Sequence, residues 1–386
     1  RVRLPALLFA VNNMECPSLN IYPRGLAKLT QDFLENSGET EMVSETLKKA
    51  RERLKNFPGE KKFLIAIDSD GCVFDSMNPK QIVVFHPKIM EFYELWGIES
   101  YLREVAEFVN LFSRTRGCNR FMALQYIFRF LKERPDVQKL LLEEIISLPD
   151  TTSLDDYIKT YKDISLGNPT LEEYTKKISD ESLSKFLEWS KSVNLTISKK
   201  IKNLPPFKWV RESLELASKK ADLVVVSQTP YEALDREWKE HDLNGYVDAI
   251  AGQEMGKKED HIRIAAQKRY PPDKMLMIGD APGDKKAADA NNALFYPIVP
   301  GRETQSWEKL LEEALPKFFK GTFAGGYQEN LLAEFDRALP SELPWLETNY
   351  DHRVSYKQRE SLRKAMYERF DPQGKLLDNG RLTKYD

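Results

Sequence analysis

Residues 61–76 read KKFLIAIDSDGCVFDS, and the point where their apolar run stops decides the fold. Phe63 to Ile67 carry no charge and are partly β-branched, the pattern of a short buried parallel strand. The run ends abruptly at Asp68-Ser69-Asp70-Gly71. Two carboxylates therefore sit at a strand's carboxyl end, followed by a glycine that lets the backbone turn sharply. Chemistry in open α/β sheets gathers at the carboxyl ends of strands. Acids packed this closely are costly unless a cation or a reaction needs them.

Outward from this strand the chain changes character twice. Residues 77–209 are dominated by helical periodicity. Leu102, Val105, Ala106, Val109 and Phe112 fall on one face, as do Phe121, Leu124, Ile127, Phe128 and Leu131. Pro205-Pro206 breaks the pattern, and from Val210 a βα rhythm returns, with strands expected at 223–226, 247–251, 275–278 and 293–299. Alternating strands and helices imply a parallel sheet with right-handed crossovers.

Three later positions repeat the logic of Asp68. Ser227 ends the strand VVV, offering a hydroxyl and backbone N–H groups to an anion. Lys257 and Lys258 precede a helix expected over 260–268. Asp280 ends the strand of MLMIGDAPGD, with Asp284 four residues on, a pairing suited to Mg²⁺, which favours a few oxygen ligands.

In this order the four segments resemble the motifs of the haloacid dehalogenase (HAD) superfamily: DxDGxxxDS at Asp68, Asp70, Gly71, Asp75 and Ser76, the strand-end hydroxyl at Ser227, the lysine, and GDxxxD at Asp280 and Asp284. The resemblance is to its phosphatase and β-phosphoglucomutase-like branch. It implies an α/β fold, a Rossmann-like parallel-sheet core (residues 61–76 and 210–305) with an inserted, mostly helical cap (77–209). It also implies an Mg²⁺-dependent phosphohydrolase acting on a small phosphorylated metabolite. Asp68 would be the nucleophile forming an aspartyl phosphate, and Asp70 the general acid and base. Ser227 and Lys258 would bind phosphate, with Lys257 as the second choice for the lysine. The metal would take Asp68, the Asp70 carbonyl, Asp280 and Asp284. A phosphomutase shares every motif, and a non-catalytic phosphate-binding or assembly protein is the alternative from another class. Dehalogenases of the superfamily lack an acid two residues after the nucleophile, so Asp70 favours phosphoryl transfer.

Within the cap region, Ser113 to Arg120 interrupts two amphipathic helices with three arginines around Gly117. Arg116 and Arg120 are the candidates for holding an anionic or hydroxyl-rich part of a substrate; Gly117 and Arg120 also match the G-x-x-R loop of β-phosphoglucomutase-like caps. An exposed turn with solvated arginines is the alternative. Cys72, where many relatives carry Thr, reads as packing, and the four histidines receive no catalytic part.

Composition bounds the rest. The 386 residues are 41% hydrophobic and 31% charged, enough for two or three domains with real cores. Lys plus Arg number 58 against 60 Asp plus Glu, so no basic excess argues for nucleic acid or an acidic membrane. Three scattered cysteines form neither a zinc spacing nor a disulfide framework, which favours a reducing, cytoplasmic setting. The apolar run at 4–11 is too short to cross a bilayer and lacks a cleavage region. The chain opens on Arg1, consistent with truncation, processing or a longer polypeptide. Residues 1–60 read as a helical extension with patterns at 25–34 and 41–55, and residues 306–386 as a second helical extension, its last 38 residues polar and open to partial disorder. Neither extension carries recognisable chemistry, and oligomeric state is not legible.

Overall fold

The computed structural model describes residues 45–162 and 166–373. The helical pattern at 25–34, the apolar run at 4–11, Cys16 and the final residues 374–386 lie outside them. The chain divides into two compact units, Arg1–Lys49 and Ala50–Asp386. Of the first, residues 45–49 are described and are helical. The second contains everything below.

Its centre is a five-stranded parallel sheet in the order β3-β2-β1-β4-β5. The strands are β1 (Phe63–Ile67), β2 (Ala221–Val226), β3 (Ala249–Ala251), β4 (Met275–Gly279) and β5 (Leu294–Pro297). The 247–251 and 293–299 runs are each trimmed to their paired residues. β1 lies in the middle, pairing with β2 through Ile67↔Val225 and with β4 through Ile67↔Ile278. Strand order reverses at β1, so the crevice between the carboxyl ends of β1 and β4 is the topological switch point where such sheets bind ligands. The Asp68 N–H donates to the Ile278 carbonyl at 2.9 Å, carrying the ladder to the first carboxylate.

Side-chain alternation puts a core on each face. Ile65, Ile67, Val225 and Ile278 join a large core continuous with the inserted helices. Leu64, Ala66, Val224 and Met277 pack on Ile262, Ala265, Ala287 and Phe335. Each such aliphatic side chain contributes about 1.5–3 kcal/mol of burial.

Between β1 and β2 the chain is helical. A continuous helix runs through Met77–Pro79, a π-helical stretch Lys80–Phe85, and His86–Tyr93, where Glu94 stops it in the left-handed conformation (φ 57°). Glu99–Leu111, Arg120–Glu133, Pro135–Leu142, Thr152–Tyr161, Asn168–Ile178 and Glu181–Lys200 follow. Asn119 caps Arg120–Glu133 by accepting from the Phe121 N–H, and Asp180 caps Glu181–Lys200 by accepting from Leu183.

The C-terminal extension is helical, as its periodicity suggests: in the described part of its polar end, His352–Gln358 and Glu360–Phe370 are helices. Their charges are used in buried pairs with the insertion. Arg363 grips the fully buried Glu107 bidentately at 2.6 and 2.8 Å. Arg134, also fully buried, pairs with Glu104 at 2.9 Å and lies over the rings of Tyr101, Trp345 and Tyr350. His352 and Ser355 bind the same Glu104. Helix Gly326–Ala338 packs on β5, so the segment straps the insertion to the sheet.

Burial raises the Glu104 carboxyl, but hydrogen bonds from His352, Ser355 and Tyr350, with the charge of Arg134, bring it down to about 2 from an ordinary 4.5. A carboxyl depressed by folding contributes stability that is complete above pH 4.5 and lost as pH falls towards 2. Acid unfolding followed by circular dichroism is therefore expected to show a steep loss in that window. Glu104→Gln should flatten it while lowering stability at pH 7 by about 3 kcal/mol, as expected when one partner of a buried pair is removed. Identical acid limbs for the two proteins would contradict this.

Candidate active site

The site is built at the ends of β1, β2 and β4. After β1 the chain turns tightly: the Ser69 carbonyl accepts from the N–H groups of Cys72, Val73 and Phe74, and Gly71 N–H donates to the Phe74 carbonyl. Gly71 has φ +77°, and a Cβ there would lie 2.6 Å from Asp280 Oδ2 and 2.7 Å from an Arg116 nitrogen, so only glycine fits. Two buried indoles pin the turn. Trp238 Nε1 donates to Ser69 Oγ at 3.1 Å, and Trp307 Nε1 to the Cys72 carbonyl at 2.8 Å. Cys72 is itself fully buried, and burial pushes its thiol well up, which leaves it a packing residue.

Asp68, Asp280 and Asp284 converge, with one carboxylate oxygen of each within 4.8 Å of the others, and all three are buried. Lys258 Nζ bridges two of them, 2.9 Å from Asp68 Oδ2 and 2.5 Å from Asp284 Oδ1. Lys258 is thus the lysine of the pair that reaches Asp68. The helix after it begins two residues earlier than expected, at Lys258 (Lys258–Ala266), which aims its side chain inward. Asp284 Oδ2 accepts from the Asp280 and Ala281 N–H groups at 3.1 and 3.0 Å, fastening the end of β4 to helix Pro282–Ala290. Arg116 comes across from the insertion: its guanidinium is 2.6 Å from Asp280 Oδ2, and it also donates to the Asp280 and Leu111 carbonyls. Its place is at the carboxylate cluster.

Two oxygens are left over. Asp68 Oδ1 and Asp280 Oδ1 are buried and have no hydrogen-bond partner. Burial raises the Asp68 carboxyl well above its usual range, with Lys258 opposing and Asp284 and Asp280 adding to the rise; Asp280 is raised by burial against the pull of Arg116. Burial lowers the Lys258 ammonium, but Asp284 and Asp68 carry it above its ordinary value. Orphaned carboxylate oxygens facing one centre, in an all-oxygen donor set, fit a hard divalent cation such as Mg²⁺.

Asp70 has different neighbours. Its oxygens accept from Ser76 Oγ (2.5 Å), Thr229 Oγ1 (2.6 Å) and Lys80 Nζ (2.7 and 2.9 Å). Burial raises this carboxyl, but Lys80 and the two hydroxyls more than offset it and hold it below the usual value. Ser76 therefore binds Asp70 and gives the following helix no side-chain cap. Ser227 is buried at the end of β2, where its Oγ accepts from the Thr229 N–H at 3.2 Å. Arg120 is held elsewhere, in the insertion, donating to Ser190 Oγ at 3.1 Å and Asn194 Oδ1 at 2.6 Å with its guanidinium over Phe85. Sequence reasoning missed Lys80 and Thr229. Thr229 was within reach, as the second hydroxyl of SQT. Lys80 had no signal, because the π-helical stretch that aims it leaves no trace in periodicity.

The family model that matches this chain is that of haloacid dehalogenase-like hydrolases, over residues 135–296. That span carries Ser227, Lys258, Asp280 and Asp284; Asp68 and Asp70 precede it. The DxDG turn closes β1 and a helical insertion follows it directly, and over the matched span the chain is similar to haloacid dehalogenase-like hydrolases. No curated protein matches it. Among solved structures it is similar to a predicted phosphoglycolate phosphatase from Haemophilus somnus 129PT, with 11% identity, TM-score 0.38, and coverage of 62% of this chain and 86% of the other. It is also similar to a HAD-superfamily hydrolase of subfamily IA from Geobacter sulfurreducens (14%, TM-score 0.31, 62% and 88%). A third is a haloacid dehalogenase-like hydrolase from Streptococcus pneumoniae (13%, TM-score 0.31, 64% and 90%). No helix among the described residues is long and apolar enough to cross a membrane.

If the orphaned oxygens are a cation site, Mg²⁺ should stabilise the fold by about 2.7 kcal/mol at a hundredfold excess over its Kd. Asp280→Asn should lose most of that gain in a thermal-denaturation titration. Equal stabilisation of both proteins would place the metal elsewhere.

Proposed function

We propose that this protein is an Mg²⁺-dependent phosphohydrolase that releases phosphate from a small phosphorylated metabolite through an aspartyl phosphate on Asp68. The observation that carries the reading is the Asp68 side chain: one oxygen against Lys258, the other unpartnered, in a cluster with Asp280 and Asp284. A carboxylate that is buried, fixed and incompletely satisfied is poised as a nucleophile.

Mg²⁺, held by Asp68, the Asp70 carbonyl, Asp280 and Asp284, would supply charge stabilisation for the phosphoryl group. Lys258 orients Asp68 and, with Ser227, meets the phosphoryl oxygens. Asp68 attacks phosphorus as the bond to the leaving oxygen breaks, and Asp70 gives that oxygen its proton. Before substrate arrives, Lys80, Ser76 and Thr229 keep Asp70 ionised. A phosphoryl dianion brought alongside raises its proton affinity, the direction the acid role requires. In the second half, Asp70 takes a proton from the water that opens the aspartyl phosphate. Arg116 ties the cap to Asp280, while Arg120 is engaged by Ser190 and Asn194. The site's small partner is thus a phosphate monoester, with the cytoplasm as the setting that the free thiols of Cys72 and Cys118 suit.

Phosphate release from a panel of phosphomonoesters should require Mg²⁺. Asp68→Asn should abolish both turnover and covalent labelling by a ³²P-phosphoryl substrate, and Asp70→Asn should lower kcat by about 10²–10⁴-fold. Metal-independent release that survives in Asp68→Asn would defeat the reading, and label passing to a second position of the substrate instead of to water would convert it to a mutase.

A further inference from the structure

Arg116 crosses from the insertion to the carboxylate cluster and spends its guanidinium on one side of Asp280 alone. Its Nε and one terminal nitrogen both reach Asp280 Oδ2, at 2.8 and 2.6 Å, and Nε also donates to the Asp280 carbonyl at 3.1 Å. The other terminal nitrogen donates to the Leu111 carbonyl at 2.9 Å, which ties the clamp to the end of helix Glu99–Leu111. Arg116 is 4% exposed and Asp280 2% exposed, so bulk water does not weaken these contacts.

The turn that carries Arg116 is shaped for this approach. The Arg116 N–H donates to the Ser113 carbonyl, and Thr115 Oγ1 donates to the Val109 carbonyl at 2.7 Å. Gly117 follows at φ +73°, and a Cβ there would lie 2.8 Å from the Cβ of Ala281, the residue after Asp280. A side chain at 117 would therefore push the turn off the end of β4. Gly71 clears the other flank, beside an Arg116 nitrogen.

The clamp divides the Asp280 carboxylate. Oδ2 faces two nitrogens of Arg116, whereas Oδ1 is buried without a partner. A cation approaching Oδ2 would also meet the positive charge of the guanidinium. Asp280 therefore offers a cation one oxygen rather than two. Asp68 is divided in the same way, with Oδ2 against Lys258 and Oδ1 open. Single oxygens suit Mg²⁺, which is small, octahedral and keeps several waters. Ca²⁺ takes about six to eight oxygens and often uses both oxygens of one carboxylate, which this arrangement denies it.

We propose that Arg116 is a positioning residue for the metal: by holding Asp280 Oδ2 it limits Asp280 to one liganding oxygen and so selects Mg²⁺ over Ca²⁺. The inference rests on the metal-dependent reading above and deepens it, because it gives the insertion a part in choosing the ion.

Isothermal titration calorimetry of the full chain with Mg²⁺ and with Ca²⁺ reads this selection without turnover. The wild-type Kd for Ca²⁺ should exceed that for Mg²⁺ by about tenfold or more, the scale of one contact to a charged group. Arg116→Met should bring that ratio close to one. Losing the guanidinium charge strengthens the pull on both dications alike, so it cancels in the ratio, as does a folding defect shared by the two titrations. Arg116→Lys keeps the charge and a donor for Oδ2, and it should retain most of the preference. A ratio unchanged in Arg116→Met, or wild-type protein that binds Ca²⁺ as tightly as Mg²⁺, would overturn the proposal. A crystal structure of the wild-type protein with Mg²⁺ tests it with no substitution at all. Arg116 should still hold Oδ2 there; Arg116 displaced, or Asp280 bound through both oxygens, would refute it. Binding of neither ion would overturn the metal-dependent reading itself, and this inference with it.

Discussion

Three carboxylates buried within 4.8 Å of one another are the constraint around which the chain is arranged. In a low-dielectric interior their mutual repulsion and lost hydration would far exceed any single hydrogen bond. Lys258 and Arg116 supply two positive charges against three negative ones, and two oxygens remain without partners. The surrounding architecture holds this unfavourable arrangement in place. β1 and β4 are hydrogen-bonded neighbours, so Asp68 and Asp280 cannot separate. Asp284 is locked by two backbone N–H groups, and Gly71 removes the one Cβ that would collide with Asp280 and Arg116. The residual negative charge and the open oxygens are what a divalent cation and a phosphoryl group together complete.

The strand-end residues were legible because a parallel sheet converts sequence order into spatial convergence. Three apolar runs, each closed by a polar residue, put Asp68, Ser227 and Asp280 at one edge whatever lies between them. Lys258 was preferred over Lys257 by the family pattern alone, since a helix start uncertain by two residues rotates the side chain by more than half a turn. Arg116 was read as a substrate clamp because sequence showed only a basic turn between helices. Its partner is 164 positions away, and nothing local encodes such a contact.

The buried charges of the insertion were illegible for a different reason. Helix Glu99–Leu111 was read from Leu102, Val105, Ala106 and Val109, which correctly gives one buried face. Arg103, Glu104 and Glu107 then fall on what an amphipathic helix should expose. Glu104 is buried against Arg134 and a hydrogen bond with His352, Glu107 against Arg359 and Arg363, and Arg103 against Glu99 of its own helix and the Ile82 carbonyl. The C-terminal stretch was read as helical, its last 38 residues as polar and open to partial disorder, and nothing local in it announces these buried partners. A charged segment and a charged helix face each look solvated when read alone, and only their juxtaposition shows that each desolvates the other.

The strap also reaches the chemistry by a short physical route. The Ile82 carbonyl, inside the π-helical stretch, accepts from Arg103 at 3.0 Å and from the Tyr367 hydroxyl at 3.0 Å, and Arg103 in turn donates to Tyr367 at 2.7 Å. A π-helical turn frees carbonyls from the regular i−4 ladder, and outside donors compensate for that loss. Lys80 opens this turn and holds both oxygens of Asp70. The C-terminal helix therefore supports the local geometry that places a lysine on the proposed acid. Proton chemistry and the C-terminal extension thus meet in a single helical turn.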